Sequence, residues 1–139
     1  MIILDTNILS ALMRAAPERV VVAWLDQQPA DSVWITSVTL FEVRLGLALL
    51  TAGKRRRALE NAFERLLHEE LEGRVLDFDT AAAAEAAALA AGRQKAGRTT
   101  DMRDTCIAGI AIARRGTLAT RNARHFKDLK VPVVDPYQA

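Results

Sequence analysis

Five short apolar runs recur along this chain, each separated from the next by a stretch of helical length. They are Ile2–Asp5, Val33–Ser37, Arg74–Phe78, Thr117–Thr120 and Val131–Val134. Strands covered on both faces read as continuous apolar segments, and parallel neighbours need a crossover long enough to hold a helix. The alternation therefore predicts α/β architecture with a mainly parallel central sheet. Helices are predicted over Asn7–Arg14 and Arg19–Gln28 on either side of Pro17, then over Val38–Ala52 with Gly53 as its stop. Lys54–Leu71, Ala81–Ala91 and Arg103–Arg115 complete the set. Nine of the eleven residues in Ala81–Ala91 are alanine, the best intrinsic helix former, so that segment reads as a close-packed scaffold helix.

With 139 residues, half of them hydrophobic, and no internal repeat or Pro- or Ser-rich linker, the chain is expected to form one domain over residues 1–139. The single cysteine, Cys106, allows no disulfide framework, and no Cys/His cluster has zinc spacing; a reducing, cytoplasmic setting is expected. Met1-Ile2-Ile3-Leu4 meets Asp5 at once, unlike a signal peptide, and the longest uncharged apolar run, Cys106–Ala113, falls well short of the roughly 18 residues that suggest a membrane span. Nineteen Lys and Arg against seventeen Asp and Glu leave +2, which alone says little about partners. No G-x-G-x-x-G or P-loop follows the first run, no G-x-S-x-G elbow appears, and Asp5-Thr6-Asn7 lacks the second aspartate of a haloacid dehalogenase phosphatase.

Three acidic residues stand out. Asp5 ends the first predicted strand, and open parallel sheets place ligands just beyond the carboxyl ends of their strands. It also leads straight into a helix, so capping and ligand binding are both open to it. Glu42, at 100° per residue, lies between Val38 and Leu45 and almost over Leu49, inside an apolar stripe. A carboxylate buried there must be protonated, meet a cation or line a polar cleft. The other side of that helix, with Leu40, Val43, Leu47 and Leu50, is apolar too; burial on two faces is expected, the second against another copy of the chain. Asp104 shares its face with Ala108 and Ala111, small residues that permit close approach to the sheet, while Asp101 competes with it for the helix cap and offers a fourth carboxylate.

If Asp5, Glu42 and Asp104 converge, each pair at ~4 Å repels by ~1 kcal/mol in water and ~4 kcal/mol near a protein surface. No basic residue is locally placed beside all three, and a hard divalent cation suits an all-oxygen site. The spacings carry no motif, so the residues alone lead to a candidate acidic metal site.

Ile3-Leu4-Asp5-Thr6-Asn7-Ile8, Phe41-Glu42-Val43-Arg44-Leu45-Gly46, Asp104-Thr105-Cys106-Ile107-Ala108 and Thr120-Arg121-Asn122-Ala123-Arg124-His125-Phe126 occur in that order. Together they resemble the PIN-domain family, most closely the VapC and FitB toxins of type II toxin–antitoxin systems. Val22-Ala23-Trp24-Leu25-Asp26 and Gly73-Arg74-Val75-Leu76-Asp77-Phe78 extend the similarity over essentially the whole chain. The resemblance implies a three-layer α/β/α fold and a Mg²⁺- or Mn²⁺-dependent ribonuclease that cuts RNA with a metal-activated water. Asp5 and Asp104 then correspond to the principal metal-binding aspartates and Glu42 to a third acid. Thr120 matches a hydroxyl position beside the acidic cluster. Asn122 stands where many relatives carry aspartate, which weakens the case for a second metal; it is left to orient a water or a phosphate, and Asp101 is the residue able to restore the lost charge. His125 is expected to be structural at the end of the fourth strand, and His68 solvated.

Lys54-Arg55-Arg56-Arg57 is the densest basic run and reads mostly as solvated surface, with some side chains free to satisfy the carbonyls that end the preceding helix. Arg121 and Arg124 follow the fourth strand and are the better candidates for RNA phosphate contacts. No DNA-reading motif is present. The resemblance implies a small antitoxin that binds DNA on behalf of the pair and inserts a tail into the cleft. Two other readings compete: a subunit that acts chiefly within an antitoxin–DNA complex, and a metal-dependent DNA nuclease.

Overall fold

A computed structural model describes residues 1–138. Five strands, β1 (Ile2–Leu4), β2 (Val33–Thr36), β3 (Val75–Leu76), β4 (Thr117–Ala119) and β5 (Val133–Val134), form a sheet of order β3-β2-β1-β4-β5. Every pairing is parallel, with Ile2 opposite Val33 on one side of β1 and Leu4 opposite Ala119 on the other. Six helices cover it: α1 (Thr6–Met13), α2 (Arg19–Asp26), α3 (Ser37–Leu49), α4 (Lys54–Arg65), α5 (Thr80–Lys95) and α6 (Met102–Arg114).

Alternation along β1 builds two cores. Leu4 joins Ile8, Leu9, Val21, Ile35 and Phe63 beneath α1 to α4, whereas Ile3 joins Ile107, Ile110, Leu118 and Phe126 beneath α5 and α6. The three-layer α/β/α arrangement follows directly. After β1 the chain runs out to β2 and β3 on one side, then returns to β4 and β5 on the other. The order reverses between β1 and β4, which is where open sheets leave a crevice.

Several boundaries differ from the sequence expectation. The helix predicted to end at Ala52 stops at Leu49, and Gly53 instead caps the start of α4. Arg56 donates to the Leu50 carbonyl at 3.2 Å, so one residue of the basic run does satisfy the end of α3. The predicted helix over Lys54–Leu71 gives way after Arg65 to a π-helical turn, Leu66–Glu70, closed by the Leu71 amide on the Leu66 carbonyl. The alanine-rich helix is longer than expected, and its close packing is confined to Ala82 and Ala86, with most of its other alanines exposed. The face of α3 expected to meet another copy, with Leu40, Val43, Leu47 and Leu50, packs into the chain's own core instead, and the open side of the helix carries Phe41 and Leu49, 56% and 77% exposed. No helix among the described residues is long and apolar enough to cross a membrane.

Candidate active site

Asp5 follows β1 directly and Thr120 follows β4, so the parallel register sets them side by side at the crevice. The Asp5 amide donates to the Ala119 carbonyl at 2.8 Å. The capping alternative open to Asp5 is realised. Its Oδ1 accepts the Thr6 amide at the start of α1 (2.8 Å), and its Oδ2 accepts the Thr120 hydroxyl (2.7 Å). Thr120 in turn accepts the Asn122 amide at 3.0 Å. Asn122 thus orders the site through its backbone, while its residue is exposed.

Glu42 is placed by a directed chain of hydroxyls. Thr6 donates its single proton to Glu42 Oε1 at 2.8 Å, so the 2.9 Å contact between Thr6 and Thr39 must be a donation from Thr39. Thr39 accepts from the Thr36 hydroxyl at 3.4 Å, and Thr36 accepts the Thr39 amide at 3.1 Å as the cap of α3. Thr36 and Thr39 are fully buried, and the chain of hydroxyls presents Glu42 with a donor that fixes its orientation.

Asp101 takes the capping role on α6, accepting the Asp104 amide at 3.1 Å. Asp104 is thereby free of that duty. Ala108 and Ala111 are buried, as its face predicted, and bring this end of α6 against the sheet. Gly109 carries the closest approach: a Cβ there would lie 2.6 Å from the Ala82 carbonyl oxygen and 2.7 Å from the Ala86 Cβ.

Electrostatics ties the carboxylates together. Burial pushes the Asp5 carboxyl above its usual range; the Thr120 and Thr6 hydrogen bonds pull it back, and the charges of Glu42 and Asp101 push it up again. Asp104 is raised to about 6, first by burial and then by the charges of Asp5, Asp101 and Glu42, with His125 opposing. Arg103 is the basic residue that sequence reasoning missed. It reaches Glu42 Oε2 at 3.6 Å from a half-exposed position and lies over the Phe41 ring at 5.8 Å, but it forms no ion pair with Asp5 or Asp104. Among the described residues no three acidic, histidine or cysteine side chains converge tightly enough to enclose a metal directly. An all-oxygen set offering one or two direct carboxylates, with waters for the rest, is the donor set that Mg²⁺ prefers. The uncompensated, raised carboxylates fit such an ion.

The sign of the Asp104 shift gives a test. Its proton is held more tightly in the folded chain than in the unfolded one, so its contribution to stability is full below the unfolded value and is lost as pH rises through about 6. In EDTA at neutral pH, Asp104→Asn is expected to raise Tm by about 3–5 °C, about 1 kcal/mol once the water around this partly exposed group is allowed for. Near pH 4 thermal melts of the two proteins should coincide; a lower Tm for the variant at neutral pH contradicts the electrostatic reading.

The remaining residues divide. Arg124 and His125 line a cavity of about 410 Å³ together with Asp101 and Asp104. His125 therefore departs from its expected place: it is exposed on the short turn Ala123–Phe126 beyond β4 and faces the acids. The Arg121 guanidinium stacks over Tyr137 at 4.3 Å, and its amide donates to Asn7 Oδ1 at 3.2 Å. His68 is exposed, paired with Glu64 at 3.0 Å.

A parallel α/β/α sheet that gathers carboxylates from β1, α3 and α6 at its switch point defines an acidic-cleft α/β protein. The PIN domain model matches residues 2–132, and the chain belongs to the PIN-domain family. It is 37% identical to the VapC ribonuclease Y4jK of Sinorhizobium fredii over 99% of both chains, and 36% identical to toxin FitB of Neisseria gonorrhoeae, again over 99% of each. Its fold is similar to that in a structure of FitAB bound to a DNA fragment, with a TM-score of 0.88 and 36% identity over 99% of this chain and 96% of that one.

Proposed function

We propose that this chain is the endoribonuclease toxin of a type II toxin–antitoxin pair, hydrolysing RNA with the help of a divalent ion, Mg²⁺ or Mn²⁺. The observation that carries this reading is that Asp5, Glu42, Asp101 and Asp104 share one end of the sheet closely enough for their charges to raise the Asp5 and Asp104 carboxyls, while neither Asp5 nor Asp104 forms an ion pair among the described residues. Likeness to a VapC ribonuclease and to toxin FitB along the full chain supports it. Asp5 and Asp104 would hold the ion, which when bound supplies an activated water and charge stabilisation at the phosphoryl group.

The chain's own groups supply the rest. Thr120 and the Thr6 amide each occupy one oxygen of Asp5 and set its plane, leaving further lone pairs for a ligand. Glu42, held as an acceptor by Thr6, can orient the attacking water and take its proton. Asn122 keeps Thr120 in register, and Arg121 and Arg124 would grip the RNA backbone. A DNA-binding antitoxin would silence the enzyme by placing a cationic side chain among the carboxylates, and DNA would be engaged only through it. Phe41 and Leu49 on the exposed side of α3 would pair two copies of the chain; a monomer in sedimentation at micromolar concentration contradicts the dimer.

Purified protein is expected to cut single-stranded RNA in Mg²⁺ or Mn²⁺, to stop in EDTA, and to leave the DNA strand of the same sequence intact. Equal cutting of both strands would favour a DNA nuclease, and no cutting under any condition a purely structural subunit.

A further inference from the structure

We infer that the cavity between residues 98–101 and the turn Ala123–Phe126 is a phosphate subsite, holding the backbone phosphate next to the scissile one in a single-stranded RNA. The inference rests on the ribonuclease reading and adds to it a second anchoring point.

Three observations meet there. The first is position: Asp101 and Asp104 form one wall, so whatever occupies the cavity is a near neighbour of the acidic centre. The second is charge. Arg93, although buried, is bound bidentately by Asp128 at 2.9 and 3.0 Å, and Arg98 shares the same carboxylate at 3.0 Å. One negative charge therefore serves two guanidiniums. Arg124, also on the wall, has no ion pair among the described residues. Arg98 and Arg124 thus bring guanidinium donors into the same cavity as Asp101 and Asp104, an arrangement that suits an anion held beside a cation-binding centre. The third is an unmet hydrogen bond: Thr100 Oγ1 is buried without a partner, and Thr100 lines this cavity. Buried hydroxyls are almost always paired, so an orphan beside a ligand-sized cavity points to an acceptor that arrives with the ligand.

A phosphodiester meets all three demands. Its oxygens accept from Arg98, Arg124 and the Thr100 hydroxyl, and charge-assisted bonds to guanidinium are the strong ones. The volume, about 410 Å³, accommodates a nucleotide-sized group. Arg93 acts as a support: its Nη2 donates to the His125 carbonyl at 3.1 Å, holding the turn that carries Arg124.

The test uses an RNA cut at one mapped bond, with each flanking phosphate replaced in turn by an uncharged methylphosphonate. Binding is measured on the Asp5→Asn protein so that the strand stays whole. One of the two replacements is expected to weaken binding about 10-fold. In R124Q, R98Q and T100V the same replacement should cost less than about 3-fold, because the partner is already gone. R124Q touches an exposed side chain and is expected to fold normally, with KM raised about 10-fold and kcat changed much less. A methylphosphonate penalty of equal size in the parent and in all three variants overturns the subsite while leaving the ribonuclease reading standing; absence of any metal-dependent RNA cleavage overturns both.

Discussion

Asp5→Asn is expected to lower divalent-dependent RNA cleavage by about 10³-fold, the loss typical of removing one principal charge-stabilising group from a preorganised site. The substitution is close to isosteric, and its amide oxygen can still accept the Thr6 amide. Its NH₂ group, however, faces the Thr120 hydroxyl, which now donates to Asp5 Oδ2 and receives the Asn122 amide. Thr120 would have to reverse its proton, and the site loses its most deeply buried carboxylate. Because that carboxylate is destabilised by burial in the metal-free chain, the variant should fold at least as well as the parent. Single-turnover rates beside circular dichroism separate the two effects. A folded Asp5→Asn protein with unchanged rate would remove Asp5 from the chemistry.

The second large effect concerns the packing that brings Asp104 to the cleft. Gly109→Ala is expected to destabilise the protein by about 2–3 kcal/mol, although alanine gains about 1 kcal/mol over glycine in a helix interior. A Cβ at residue 109 would fall 2.6 Å from a backbone oxygen of α5 and 2.7 Å from Ala86, so the two helices must move apart as units. Asp104 lies on the same helix, and cleavage should fall along with stability. Gly92→Ala provides the contrast: nothing lies within 4 Å of its Cβ position, and that variant should be neutral or more stable. Urea midpoints read both; equal midpoints for the two variants would mean that α5 and α6 are not held at this contact.

Much of this architecture was legible in the residues. Apolar runs bounded by helical stretches mark five strands of a mainly parallel sheet, and the position of Asp5 at a strand end carries its significance in the sequence itself. Asp101 and Asp104 could not be told apart as caps, since either type and spacing suits the role; the 3.1 Å bond from the Asp104 amide assigns it to Asp101. The hydroxyl chain from Thr36 through Thr39 and Thr6 to Glu42 was out of reach, because Thr6 meets its partners across more than thirty residues. Arg93 was hidden for a similar reason. At the end of an alanine-rich helix, beside Gln94 and Lys95, it reads as a solvated charge, yet Asp128, thirty-five residues on, draws it inside. On α3 the periodicity finds two apolar sides but not which of them the core takes, because it reports which residues share a face and not what covers it.

Titration with Mn²⁺, followed by the loss of the free ion's electron paramagnetic resonance signal, asks most directly whether these carboxylates hold a divalent cation. The parent chain is expected to bind the ion, with Asp5→Asn and Asp104→Asn each weakening it at least about 10-fold, and with RNA cleavage tracking occupancy. Binding that is indifferent to both substitutions, or RNA cleavage that persists in EDTA, would contradict the assignment of the acidic cleft as the catalytic centre.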